Sequence, residues 1–143
     1  MKRHIFTVIV ALLILSNGIP AQAGTSKFDG IWNLTLACEP TFNVPGYTLK
    51  IVAQVKDGMF LGQHGEENNP GYLKITGQIE PDGSSMLQAT GLLGKIGPKS
   101  SAAGKAYNYV IKAQFNDFRG TGSRMSTVSA TGQRNCDFVF VKK

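Results

Sequence analysis

Apolar and polar residues alternate along most of the chain, and this alternation predicts β-strands. The clearest example is the segment 47–56, where the odd positions are apolar and the even positions are mostly polar. Because successive side chains of a strand point to opposite faces, such a segment forms a strand with one buried face. The dipeptide Asp57-Gly58 follows directly and favours a two-residue hairpin turn. No stretch beyond residue 23 has a convincing helical period.

The alternation recurs with turn signals about every 8–12 residues, which predicts about eight strands. Besides 47–56, the predicted strands cover 31–38, 59–63, 72–80, 86–92, 107–115, 123–129 and 136–141. Polar turns are predicted at 66–71 and 81–83, and Gly120-Thr121-Gly122 is interpreted as a turn or bulge. The apolar face of the strands is expected to carry Trp32, Leu34, Leu36, Cys38, Leu73, Ile75, Ile79, Tyr107, Tyr109, Ile111, Ala113, Phe115, Cys136, Phe138 and Phe140.

Strands joined by short turns favour an all-β fold, a small antiparallel up-and-down barrel of about eight strands. With an even number of strands the first and the last run antiparallel, so their pairing can close the sheet and remove its exposed edges. A β-sandwich of the immunoglobulin type is the alternative. It is disfavoured because few long crossover connections are available and because Trp32 precedes both cysteines.

The first 23 residues have the features of a secretory signal peptide. Lys2 and Arg3 precede an apolar run over 5–15, and Ala21-Gln22-Ala23 is a small-x-small cleavage site. The run is too short to span a bilayer comfortably. We therefore expect a signal peptide over 1–23, a single barrel domain over 24–143, and a periplasmic or secreted protein that is not an integral membrane protein.

Removal of this leader lowers the charge of the remaining chain. The formal net charge is +6 for all 143 residues, and 13 basic against 9 acidic residues, a net charge of +4, remain beyond residue 23. Export and this modest charge together disfavour a nucleic acid as partner. The expected partner is instead a small ligand or an envelope protein.

Cys38 and Cys136 are the two cysteines of the chain. In an exported protein an even and low cysteine count favours a disulfide, and this one would join the first and last predicted strands. Two buried free thiols are the alternative. A catalytic thiol is disfavoured because it needs a neighbouring histidine, and His64 is the only histidine beyond the leader.

The segment Phe28-Asp29-Gly30-Ile31-Trp32 resembles the G-x-W opening of the calycins, the group of small up-and-down barrels that includes lipocalins and avidins. In that group the tryptophan closes one end of the barrel and an arginine from a late strand packs over it. The resemblance therefore implies a barrel in which Arg124 or Arg134 lies over Trp32.

The wider layout resembles a group of small secreted proteins of alphaproteobacteria that have no assigned function. That likeness extends over most of the chain beyond the leader and ends at Cys136. It is carried by Phe28-Asp29-Gly30-x-Trp32, Val55-x-Asp57-Gly58, Gly71-x-Leu73-x-Ile75-x-Gly77, Pro81-Asp82-Gly83 and Gly120-Thr121-Gly122-x-Arg124. The early G-x-W is also similar to that of the periplasmic metalloprotease inhibitors, although these carry both cysteines in the first half of the chain.

The common patterns of catalytic and metal sites are missing from the sequence. There is no G-x-S-x-G segment, and one histidine cannot supply both the ligands and the base of a zinc site. Glu66 and Glu67 are adjacent in a predicted turn, so their carboxylates point apart and do not form the pair that glycoside hydrolysis needs. We expect a protein that is not an enzyme and that has no metal and no cofactor.

Aromatic residues supply the candidate ligand site. In a closed barrel Trp32, Tyr47, Tyr107 and Tyr109 point inward. Buried tyrosine hydroxyls need partners, and Arg124 or Arg134 could serve. Small barrels either fill their interior with side chains or hold one small ligand, and both readings stay open. The first hypothesis is a non-enzymatic exported barrel that binds a small ligand in or at the mouth of the barrel.

The segment 93–105 is the candidate partner-binding loop. It is long and rich in small residues, and it carries Lys95, Lys99 and Lys105. Loops of this length in a compact domain are often functional. The second hypothesis is therefore a protein-binding or inhibitor module that acts through this loop, and the third is an envelope-associated structural protein.

Overall fold

A computed structural model of the chain describes residues 26–41, 45–95, 102–125 and 134–143. In these ranges the protein is all-β, and eight antiparallel strands close into a barrel in chain order. This architecture confirms the predicted barrel and excludes the β-sandwich. The strands are β1 (Gly30–Cys38), β2 (Tyr47–Lys56), β3 (Met59–His64), β4 (Leu73–Gln78), β5 (Ser84–Leu92), β6 (Ala106–Phe115), β7 (Arg119–Arg124) and β8 (Cys136–Lys142).

The alternation of apolar and polar residues in the sequence corresponds to an alternation of buried and exposed side chains in the barrel. The strand predicted at 47–56 is found with the same bounds, and from residue 51 its odd positions are buried while its even positions are exposed. Asp57 and Gly58 both have a positive φ, which is the conformation that a two-residue type I′ hairpin turn requires. The expected inward face is confirmed on β1, β4, β6 and β8.

The strand β7 differs from its prediction. Gly120, Thr121 and Gly122 are not a turn or bulge but lie inside the strand, which ends at Arg124. A Cβ added at Gly120 would lie 2.7 Å from the ring of Phe115, so the glycine makes room for that inward side chain. The predicted continuation of this strand over 126–129 lies outside the described residues.

The two ends of the barrel have different connections. At one end, here called the turn end, short turns over 57–58, 79–83 and 116–118 join the strands. At the other, here called the loop end, the longer connections 39–46, 65–72, 93–105 and 125–135 join them. The meander puts the connections that follow even strands at the turn end and those that follow odd strands at the loop end.

A cluster of aromatic side chains fills the interior near the turn end. Its members are buried and meet mainly at edge-to-face or tilted angles, which are favoured by aromatic quadrupoles. The indole nitrogen of Trp32 donates a hydrogen bond to the carbonyl oxygen of Phe28 over 2.8 Å. The polar atom of the largest core side chain is therefore satisfied. The cluster consists of Phe28, Trp32, Phe60, Phe115 and Phe140.

Residues 26–29 cross the turn end and form a plug. The Asp29 carboxylate accepts hydrogen bonds from the backbone N–H of Gly58, at 2.9 Å, and of Ser26, at 3.1 Å. Partial desolvation raises the pKa of Asp29, but these backbone hydrogen bonds and the nearby Lys142 ammonium together hold it below the ordinary value. The ionised carboxylate thus ties the plug to the β2–β3 turn.

The pairing of β1 with β8 closes the barrel. Its register runs from Trp32 opposite Lys142 to Cys38 opposite Cys136. The two cysteines form a disulfide with their Cα atoms 4.1 Å apart, as the sequence predicted, at the loop end of this pairing. A disulfide is consistent with an oxidising compartment outside the cytoplasm. No helix in the described ranges is long and apolar enough to cross a membrane.

Removal of the disulfide should lower the stability of the barrel. The bridge closes a loop with a sequence separation of 98 residues. In the chain-entropy model a loop of this length corresponds to about 4 kcal/mol. We expect the Cys38→Ser, Cys136→Ser double variant to lose about that much free energy of unfolding in urea titrations. A loss below about 1 kcal/mol would contradict this account.

The plug should loosen in acid. Because the folded-state pKa of Asp29 is lowered, its contribution to stability is present above the unfolded value and is lost as pH falls through the folded one. We expect the melting temperature of the wild type to fall as pH drops below about 4. The Asp29→Asn variant should be less stable at neutral pH and should show a smaller pH dependence in thermal melts. If the melting temperature of Asp29→Asn depended on pH as steeply as that of the wild type, this role of Asp29 would be rejected.

Candidate functional site

Four of the predicted ligand residues come together at the loop end. We call Tyr47, Tyr107, Tyr109 and Arg124 the mouth cluster. Tyr107 and Tyr109 lie two residues apart on β6, so both side chains leave the inward face of the strand. Their rings are 6.0 Å apart between centroids with an angle of 6° between their planes, which is a stacked arrangement.

Glycine and alanine on the neighbouring strand make room for these rings. In the register of β5 with β6, Gly91 lies opposite Tyr107 and Ala89 opposite Tyr109. A Cβ added at Gly91 would lie 2.6 Å from the hydroxyl oxygen of Tyr107 and would also clash with the carbonyl oxygen of Tyr72. The position of Tyr107 thus depends on the missing side chain of Gly91.

Arg124 is the last residue of β7, and it follows Gly120 and Gly122 on the same face. Its guanidinium carbon lies 4.3 Å from the centroid of the Tyr109 ring, within the range of a cation–π interaction. The Nε atom of Arg124 is buried and has no hydrogen-bond partner among the described residues. A charged donor without a partner is unusual in a protein interior.

Tyr47 and Arg134 form the outer part of the mouth. Tyr47 is 45% exposed, whereas Tyr109 is 6% exposed, so the cluster runs from the rim into the barrel. The guanidinium of Arg134 lies 5.3 Å from the Tyr47 ring and donates a hydrogen bond to the carbonyl oxygen of Pro45. Tyr47 pairs with Cys38 in the sheet, and Arg134 lies two residues before Cys136, so the closing strands bring them together.

Burial governs the ionisation of the two stacked tyrosines. Desolvation raises the pKa of Tyr107 to about 12, the phenol of Tyr47 adds to this rise, and the Arg124 guanidinium opposes it. Desolvation likewise raises the pKa of Tyr109 above its ordinary value. Both hydroxyls are therefore protonated at neutral pH and can donate hydrogen bonds.

Trp32 does not join the mouth cluster. It is fully buried in the aromatic cluster of the turn end, where its ring meets Phe115 at 5.4 Å between centroids. The arginines that the calycin resemblance puts over Trp32 lie at the loop end instead, each over a tyrosine. The plug residue Phe28 enters the barrel at the turn end, so phenylalanine rings rather than an arginine surround the indole.

The loop 93–105 is described in part. Lys95 and Lys105 have exposed side chains, and Lys99 lies outside the described residues. The N–H of Leu93 donates to the carbonyl oxygen of Lys105, and the N–H of Gly104 donates to that of Leu93. These bonds extend the β5–β6 hairpin at the loop end, and binding of a partner by its lysines stays a prediction.

Two depressions on the described surface lie away from the mouth cluster. One of about 580 Å³ lies on the outer wall across β5, β6 and β7, where outward polar side chains such as Lys112, Gln114 and Ser123 line it. The other, of about 300 Å³, lies beside the plug at Lys27 and Pro81. Neither combines stacked aromatic rings with a half-buried arginine as the mouth cluster does.

The described residues do not bring metal-ligating side chains together. Within those ranges no group of three or more His, Cys, Asp or Glu side chains converges to hold a metal ion. His64 ends β3 and is half-buried, and Glu66 and Glu67 lie exposed in the turn that follows. The mouth cluster offers flat aromatic surfaces and hydrogen-bond donors.

Comparison of the chain with protein-family models, with curated proteins and with solved structures found no match in any of the three.

The stacked tyrosines should resist ionisation in alkali. Tyr107 keeps its proton to a higher pH in the folded protein than in the unfolded chain. Its contribution to the free energy of unfolding is therefore complete below the unfolded pKa of about 10 and is lost as pH rises through the folded pKa of about 12. We expect tyrosinate absorbance after a rapid alkaline jump to include a step near 12 that disappears in Tyr107→Phe. In Arg124→Gln the step should shift to higher pH. A step near 10 for Tyr107 would contradict its burial.

Proposed function

We propose that the protein is a non-enzymatic, exported barrel that binds a small amphipathic molecule at its mouth. The single observation that carries this proposal is the convergence of Tyr47, Tyr107, Tyr109 and Arg124 at the loop end. Such a site offers a flat apolar surface together with a few placed polar groups, which is the usual composition of small-molecule sites.

The difference between the two ends supports the location. At the turn end the plug and the buried aromatic cluster occupy the interior. At the loop end the inward positions Ala89 and Gly91 of β5 carry small residues, and Tyr109 and Tyr107 occupy the space beside them. A ligand at the mouth can therefore contact aromatic rings without displacing the core.

Export is part of the same proposal. The leader over 1–23 would direct the chain out of the cytoplasm, and the disulfide between Cys38 and Cys136 would form in the periplasm or the external medium. In such a compartment a small barrel can carry or sequester a ligand without any catalytic step.

An uncharged aromatic dye tests this function. We expect phenylnaphthylamine to gain fluorescence on mixing with the protein that lacks residues 1–23. The variant Tyr107→Ala should weaken binding about tenfold, because it removes half of the stacked pair and the apolar area that it offers. The matched control is Gln114→Ala on the outer wall, which should bind the dye as the wild type does. No fluorescence gain with the wild type, or equal loss in both variants, would reject the proposal.

A further inference from the structure

Arg124 differs from the other charged groups of the described structure in its buried Nε donor, which has no hydrogen-bond partner among the described residues. In the described ranges the one ion pair joins Lys27 to Asp117, both at the turn end. The guanidinium therefore sits against Tyr109 with no described counter-charge.

Leaving a buried donor of a charged group without a partner is costly. A donor that loses its water on folding and gains no acceptor forfeits its full desolvation free energy. Arg124 Nε is in this condition among the described residues, whereas Arg134 donates to the carbonyl oxygen of Pro45. Both arginines stack on a tyrosine, but only Arg124 has a buried nitrogen without a described acceptor. The cation–π contact alone therefore does not explain why Arg124 Nε has no partner.

An anion would satisfy this donor. Guanidinium groups bind carboxylates and related oxyanions through charge-assisted hydrogen bonds, often two in parallel. The protonated hydroxyls of Tyr107 and Tyr109 belong to the same cluster and add neutral donors. A cationic ligand would instead meet an unneutralised positive charge at the inner part of the site.

The geometry also limits the shape of the anion. The stacked rings of Tyr107 and Tyr109 are flat, and the cluster extends from buried Tyr109 to the exposed rim at Tyr47. Gly91 lacks the side chain that would push Tyr107 away from the wall. A ligand that uses both features has a flat ring, which stacks on these tyrosines, and an attached acidic group that pairs with Arg124.

We propose that the ligand is a small aromatic organic acid whose acidic group binds the Arg124 guanidinium and whose ring packs against the tyrosines of the mouth cluster. This inference rests on the proposed function, since it names the ligand class of the same site. It assigns to Arg124 the selection of anions and to the tyrosines the affinity for the ring.

Two dyes of matched shape test this assignment. Anilinonaphthalene sulfonate and phenylnaphthylamine share the same ring system and differ in the sulfonate. We expect the wild type to bind the sulfonate at least about tenfold more tightly, the factor that one charge-assisted hydrogen bond supplies. Arg124→Gln should lose this preference, because the sulfonate then has no guanidinium to pair with. Arg134→Gln, the matched control, should keep the preference.

The outcomes separate this inference from the proposed function. If the uncharged dye binds and the wild type shows no preference for the sulfonate, the assignment of Arg124 is wrong and the mouth site stands. A preference that survives Arg124→Gln, or that Arg134→Gln abolishes equally, also overturns the assignment. If neither dye binds the wild type, the proposed function fails and this inference with it.

A competition experiment on the wild type covers the case in which Arg124→Gln does not fold, which thermal melts would detect. Naphthalene carboxylate should displace the bound sulfonate dye at a concentration at least about tenfold lower than naphthalene methanol, because the carboxylate alone can pair with Arg124. Equal displacement by the acid and the alcohol would overturn the inference.

Discussion

Closure of the sheet by β1 and β8 is the constraint on which the rest of the structure depends. With that pairing every strand has two neighbours, so the barrel has no open edge whose backbone groups would seek another chain. Closure also encloses an interior, so the apolar residues at alternate positions of the strands become a buried core. The disulfide from Cys38 to Cys136 covalently joins the same two strands and brings Tyr47 close to Arg134.

The two ends of the closed barrel are filled in different ways. Near the turn end large aromatic rings occupy the interior, and Gly120 provides the space that Phe115 needs. Near the loop end small residues face tyrosines, so Gly91 and Ala89 leave room for amphipathic rings. The first arrangement excludes water and stabilises the fold. The second leaves tyrosine hydroxyls and the Arg124 guanidinium near the loop end.

Much of the fold could be predicted because strand faces are a local property. The bounds of the strand 47–56 and its turn at Asp57-Gly58 follow from alternation and from turn chemistry. The glycines of β7 could not be interpreted correctly from the chain alone, because Gly120 is required by Phe115 on a neighbouring strand. Of the candidate site, the three tyrosines were predicted from their expected inward faces, and Arg124 or Arg134 was predicted as a partner for them. Which arginine meets which tyrosine could not be predicted, because it depends on the pairing of distant strands.

The sequence by itself determined which side chains point inward, because the side-chain direction in a strand follows from position parity alone. It thereby defined an all-β chain whose ends can pair through two cysteines. Only the tertiary structure decided which inward residues meet, since that depends on the register between strands. Trp32 and Tyr109 both point inward, yet register places the indole beside Phe115 and the phenol beside Arg124. The same register leaves Arg124 Nε without a described partner, a feature that no local pattern contains.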